Sequence, residues 1–275
     1  MALATKGVFA VSAKLFVTDM DGTLLNSERK ISAGNKAMIK KAVEAGVIFN
    51  IATGRMYASA LPFAKDLGVE VPIITYNGAV IKTTAGKEIF TSYLDEDLIK
   101  EVLDFTKEKG LYVQVYSDDK LYFKENDRHA QVYQQACGVM GQAVGEDIYK
   151  YTAKVPKMLI VGDDPEKADE AVEMVRQAFA GRVESMKSAP TYVEIIKPGV
   201  NKATAIKRLA ESFGIAESEV LAIGDSSNDV TMIQAAAYGV AMGNANAEAR
   251  AAAKYTVADC DHDGVAEALQ RFCLE

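Results

Sequence analysis

Lys14-Leu15-Phe16-Val17-Thr18-Asp19-Met20-Asp21-Gly22-Thr23-Leu24-Leu25 decides how the rest of the chain reads. The apolar run Leu15-Phe16-Val17 has the composition of a short buried strand, and Gly22 marks the turn beyond it. Asp19 and Asp21 are thereby delivered together to a strand end. Two anions so close repel, and they coexist only if a cation neutralises them or one keeps its proton. The pair therefore points to a hard divalent metal such as Mg2+ or to acid/base chemistry, both of them active-site readings.

The stretches on either side alternate strand with helix. Ser32 stands where an N-cap belongs, and Met38, Ile39, Ala42, Val43 and Ala45 form a helical stripe that stops at Gly46. Strand 47–52 runs into Thr53-Gly54-Arg55. A helix over 58–67 and strand 72–75 follow, the latter ending in Tyr76-Asn77-Gly78. Such alternation implies right-handed crossovers and a parallel sheet covered on both faces. The pattern breaks near Val80, where 80–82 and 88–90 flank a hairpin turn, and strands at 111–116, 121–123, 157–161 and 191–196 are interspersed with helices from Asp95 and over 165–179. We assign residues 84–189 to an inserted α+β unit and residues 1–83 and 190–275 to the core. The alternation resumes at Lys202, and the buried strand Val220-Leu221-Ala222-Ile223 leads into Gly224-Asp225-Ser226-Ser227-Asn228-Asp229. The fold class is α/β, a Rossmann-like doubly wound parallel sheet with an inserted α+β domain.

Composition narrows the function. Of 275 residues, 49% are hydrophobic and 25% charged, as in an ordinary globular protein, and no apolar run approaches the roughly 20 residues that span a bilayer. Met1 to Ala13 reads as a short disordered lead, too broken by Lys6 and Gly7 for a secretion signal. Lys and Arg total 31 against 38 Asp and Glu, a net charge of -7 that disfavours a nucleic-acid surface. Cys137, Cys260 and Cys273 lack metal or redox spacing and read as buried thiols of a cytoplasmic protein. His129 and His262 lack ligand spacing and read as surface or structural residues. An EF-hand fails on position: counted from Asp19, the sixth residue is Leu24 and the twelfth Lys30.

Three strand ends thus carry polar clusters, and in an open parallel sheet such ends line the ligand-binding edge. Asp19 and Asp225 would share a cation there, Thr53 and the N–H groups after it would receive phosphate oxygens, and Lys202 at a helix start would add positive charge. In this order the motifs resemble those of the haloacid dehalogenase superfamily of phosphohydrolases, specifically its Cof-type branch: Asp19-Met20-Asp21-Gly22-Thr23, Thr53-Gly54-Arg55, Lys202 within Gly199-Val200-Asn201-Lys202, and Gly224-Asp225-Ser226-Ser227-Asn228-Asp229.

The resemblance implies a Mg2+-dependent phosphomonoester hydrolase acting on a small metabolite of sugar phosphate, FMN or PLP type. Asp19 would be the nucleophile that forms an aspartyl-phosphate and Asp21 the general acid/base. Asp19, the Asp21 carbonyl and Asp225 would hold the metal. Thr53, Gly54 and Lys202 would bind the phosphoryl group, Asn228 the phosphate or a metal-bound water, and Asp229 would orient the metal site or Lys202. Arg55 is divided between a substrate contact and a structural ion pair, and Asn77 falls in a loop the family places beside the site. A phosphomutase of the same chemistry and a non-catalytic phosphometabolite-binding regulator stand as alternatives.

Overall fold

The computed structural model describes residues 13–275; the lead read over Met1–Ala13 lies, up to residue 12, outside the described residues. In chain order the elements are β1 (Leu15–Thr18), α1 (Ala33–Glu44), β2 (Ile48–Ala52), α2 (Tyr57–Asp66), β3 (Pro72–Thr75), β4 (Val80–Thr83), β5 (Glu88–Thr91), α3 (Glu96–Glu108), β6 (Val113–Ser117), β7 (Lys120–Phe123), α4 (Arg128–Cys137) and β8 (Gln142–Ala143). There follow β9 (Lys157–Val161), α5 (Pro165–Ala178), β10 (Glu184–Ala189), β11 (Tyr192–Ile196), α6 (Lys202–Phe213), β12 (Val220–Gly224), α7 (Val230–Ala235), β13 (Tyr238–Ala241), α8 (Ala247–Ala252), β14 (Tyr255–Thr256) and α9 (Gly264–Leu269). Contacts divide the chain into two units. One comprises residues 13–51, 67–69 and 206–275; the other comprises Ala52–Asp66 and Glu70–Ala205.

The first unit is built on parallel strands in the order β14-β13-β12-β1-β2. From β1 the chain moves outward one way, through α1 to β2; from β12 it moves the other way, through α7 and α8. Right-handed crossovers therefore put these helices on opposite faces, which makes the sheet doubly wound and places its switch point between β1 and β12. Strand composition follows from that burial. Leu15, Phe16 and Val17, and likewise Leu221, Ala222 and Ile223, are inaccessible to solvent, because a sheet covered on both faces admits no polar alternation. Phe16 stacks on Phe49 across the β1–β2 pair, with ring centroids 5.5 Å apart. Ser32 caps α1 as expected, its Oγ accepting from Asn35 N at 3.0 Å.

In the second unit β3, β4 and β5 are antiparallel neighbours, and a second sheet runs β10-β11-β9-β6-β7-β8. The two faces of that sheet differ. Val115, Met158, Ile160, Val193 and Ile195 point into a core shared with α3 and α5, where Leu98, Val102, Ala171 and Val175 meet them. The alternate positions, Tyr116, Leu159, Val161 and Tyr192, join a separate core with Met56, Tyr76 and Val80. Lys157 and Glu194 lie on this second face. Among the described residues, no helix is long and apolar enough to cross a membrane.

Candidate active site

At the switch point β1 and β12 end level with each other: Thr18 pairs with Ile223, and Asp19 N donates to the Ile223 carbonyl at 2.9 Å. Asp19 and Asp225 are therefore the residues that immediately follow two adjacent strands. Asp19 is buried, 4% exposed, with Met20 turned into the core behind it and Asp21 exposed in front. Asp19, Asp225 and Asp229 each offer a carboxylate oxygen, and these atoms all lie within 4.8 Å of one another.

The loop after β12 is held by its own side chains. Asp229, fully buried, accepts at Oδ2 from Asp225 N and Ser226 N, both at 3.0 Å, and from Ser226 Oγ at 3.2 Å. Gly224 has no side chain for a steric reason, since a Cβ there would lie 2.5 Å from Asp229 Cγ. Thr23 Oγ1 donates to Asp225 Oδ1 at 2.8 Å, which fixes the carboxylate across 202 residues of chain. Gly22, at φ 75°, turns the chain directly against that carboxylate, and Asn244 Nδ2 clamps the Gly22 carbonyl at 2.8 Å. Asn228 Oδ1 accepts from Ser226 Oγ at 2.7 Å.

These donors fit a hard cation. All are carboxylate oxygens, and two ligands on one octahedral Mg2+ sit about 2.9 Å apart when cis and about 4.1 Å when trans. The three oxygens lie within 4.8 Å of one another, a limit slightly above the trans distance. Asp229, expected to orient the site from outside, has an oxygen in the same group while Oδ2 organises the loop.

The second unit contains the remaining candidates. Thr53, buried, receives Arg55 N at Oγ1, 3.2 Å away. The carbonyls of Thr53 and Arg55 accept from Asn77 N at 3.1 Å and Tyr76 N at 2.9 Å. The Arg55 guanidinium reaches Ser59 Oγ at 3.4 Å and covers the Phe63 ring, 5.3 Å from its centroid. Tyr76 and Asn77 both have left-handed backbone, φ 53° and 55°, a strained conformation for a tyrosine. Tyr76 OH donates to Asp119 Oδ1 at 2.8 Å, and burial raises the Asp119 carboxyl pKa above the usual aspartate value. Gly78 allows this loop to lie on the start of α6, since a Cβ there would be 2.4 Å from the Asn201 carbonyl oxygen. Lys202 follows at once and is 1% exposed.

Thr23 belongs to the first motif, but its bond to Asp225 is not legible there, and Asn244, Lys157 and Glu194 are not singled out by the sequence. Asn244 carries no pattern that distinguishes it from a turn residue. A lysine opening the otherwise apolar Lys157-Met-Leu-Ile-Val, and a glutamate inside Tyr-Val-Glu194-Ile-Ile, were legible as charges on strands that the alternation buries.

A doubly wound α/β unit with carboxylates gathered at its switch point defines a protein whose ligand edge concentrates negative charge. The chain belongs to the haloacid dehalogenase-like hydrolase family, whose model matches residues 16–269, as the four motifs led us to expect. It is 30% identical to 5-amino-6-(5-phospho-D-ribitylamino)uracil phosphatase YwtE of Bacillus subtilis, over 92% of this chain and 96% of that protein. It is 28% identical to the HMP-PP phosphatase of Serratia proteamaculans, over 94% and 95% of the two chains. A haloacid dehalogenase-like hydrolase from Bacteroides thetaiotaomicron superposes with a TM-score of 0.87 at 30% identity, over 94% of this chain and 99% of that one.

Proposed function

We propose that this chain is a Mg2+-dependent phosphomonoester hydrolase acting on small phosphorylated metabolites through an aspartyl-phosphate at Asp19. The observation that carries the reading is the meeting of Asp19, Asp225 and Asp229 at the switch point. Two relatives named as phosphatases of phosphorylated small molecules support it.

In this reading Asp19 Oδ attacks phosphorus, a P–O bond forms to the carboxylate, and the ester P–O bond breaks with its electron pair going to the leaving oxygen. Asp21, exposed at the same turn, gives that oxygen a proton, then takes one from the water that releases inorganic phosphate from Asp19. Asp19, the Asp21 carbonyl and Asp225 would hold Mg2+, with Asp229 beside them. When bound, the ion would screen the repulsion between anionic nucleophile and anionic substrate. Thr53, Gly54 and Lys202 would receive the equatorial oxygens, with Arg55, Asn77 and Asn228 near the substrate. The carboxylate cluster and the Thr53 loop would then serve one substrate, with residues 84–189 acting as a cap that selects the leaving group in a cytoplasmic setting.

The test is a screen of phosphorylated metabolites with Mg2+, repeated on Asp19→Asn. The expected result is phosphate release by the unaltered chain and none by the near-isosteric variant, with unchanged circular dichroism. Retained turnover by the variant would refute Asp19 as nucleophile. Phosphorus NMR of the product distinguishes hydrolysis from an isomerised ester.

A further inference from the structure

Lys157 and Glu194 form an ion pair, Nζ to Oε1 at 2.9 Å, with side chains only 3% and 5% exposed. Burying both charges costs several kcal/mol per ion, and an apolar pair of the same volume serves stability as well or better. The surrounding face, with Tyr116, Leu159 and Tyr192, would accept such a pair. Stability is therefore a poor account of why the charges are there.

Their remaining bonds supply a better one. Lys157 Nζ also donates to the Gly54 carbonyl at 3.1 Å while lying 4.9 Å from the Tyr116 ring centroid. Glu194 Oε2 accepts from Asn77 Nδ2 at 2.7 Å, and Asn77 N in turn donates to the Thr53 carbonyl. With the Arg55 carbonyl bonded to Tyr76 N, three successive carbonyls, of Thr53, Gly54 and Arg55, are each pinned. The Gly54 N–H has no acceptor among the described residues. Asn77 Oδ1 is buried without a partner and fills the place a Gly54 side chain would take, 2.9 Å from its Cβ position.

We infer that Lys157 and Glu194 are positioning residues for phosphoryl transfer: together with Asn77 they lock the Thr53-Gly54-Arg55 peptides so that the Gly54 N–H is held toward the transferring group. This inference rests on the proposal that this loop receives phosphate. The pair touches no reacting atom. It acts through the Gly54 carbonyl and Asn77, and fixed donors of this kind lower a barrier because they need no reorganisation at the moment of reaction.

The test compares the full chain with the double variant Lys157→Met/Glu194→Gln, which removes both charges and leaves no buried ion unpaired. With p-nitrophenyl phosphate and Mg2+, kcat is expected to fall roughly 10- to 100-fold while KM stays within about threefold, because the loss falls on the transition state. Inhibition by inorganic orthovanadate, a five-coordinate mimic, is expected to weaken about tenfold in parallel. Glu194→Gln alone preserves shape and provides the same readout should the double variant not fold. Its single carbonyl oxygen can accept from Lys157 or from Asn77 but not satisfy both as the carboxylate does. Thr53→Ala separates the two layers of argument. Normal kcat and vanadate inhibition in the charge variants, beside a loss in Thr53→Ala, would overturn the positioning role alone; normal kcat in Thr53→Ala would overturn the phosphate-loop reading beneath it. A lowered melting temperature with unchanged kcat would show the pair to be structural.

Discussion

Gly22→Ala isolates the switch-point geometry from general backbone cost. Gly22 has φ 75°, a conformation that costs an L-residue about 1–2 kcal/mol, and an added Cβ would lie 2.7 Å from Asp225 Oδ2. Ordinary contact begins near 3.4 Å, so the carboxylate must retreat by about 0.7 Å, well beyond the roughly 0.2 Å tolerance of a metal–ligand distance. The Thr23 hydrogen bond to the same carboxylate is strained by the same movement. Gly46 provides the control: its φ is 94°, yet nothing lies within 4 Å of its missing Cβ. Both variants should lose about 2–8 °C of thermal stability in the absence of metal. Only Gly22→Ala should also need a higher Mg2+ concentration for half-maximal phosphatase activity and turn over about 10- to 100-fold more slowly. Thermal unfolding and Mg2+ titrations of both proteins measure this. Equal Mg2+ dependence and equal turnover in the two variants would remove Asp225 from the metal site.

Chelation with EDTA should abolish turnover and lower the melting temperature, and Mg2+ at about 100 times its Kd should restore about 2.7 kcal/mol, read as a metal-dependent shift in unfolding. Asp119→Asn should stabilise the protein at pH 7, because burial raises the folded pKa of Asp119 above its unfolded value. The wild-type contribution is fully present below the unfolded pKa, near pH 4, and is lost as pH rises through the folded one, while the amide oxygen can still accept from Tyr76 and Ala58. Urea unfolding should show the gap between variant and wild type closing below about pH 4; a gap independent of pH would contradict this. Burial pushes the Cys273 thiol up to about 12, so Ellman's reagent at pH 8 should label Cys273 only on unfolding and reach the half-buried Cys137 first.

The parts of the fold legible in the sequence are those where burial on both faces forces an unbroken apolar run. β1, β2 and β12 read directly, and the polar residues that end them, Asp19, Thr53 and Asp225, stand out because charge follows immediately on apolar sequence. Elements with one exposed side were harder to read. The helix α4 escapes the sequence reading because Arg128-His-Ala-Gln-Val-Tyr-Gln-Gln-Ala-Cys137 is half polar, with few large apolar residues to mark a buried face, although Asp127 caps it through Ala130 N at 3.0 Å and Gly138 closes it at φ 66°. The edge strand β10, Glu184-Ser-Met-Lys-Ser-Ala189, was missed for the same reason, and β8 and β14, of two residues each, are too short to carry any pattern. Cys137, expected to be buried, is only half-buried at the end of α4. Spacing is also silent on what a buried charge bonds to. Lys157 and Glu194 are 37 residues apart, and nothing in either strand announces that both face the Thr53 loop. Linear motifs identify groups that chain connectivity alone presents to a ligand. Groups that hold those motifs in place become visible only when the second sheet is seen to aim one face, that of Lys157 and Glu194, at Gly54 and Asn77.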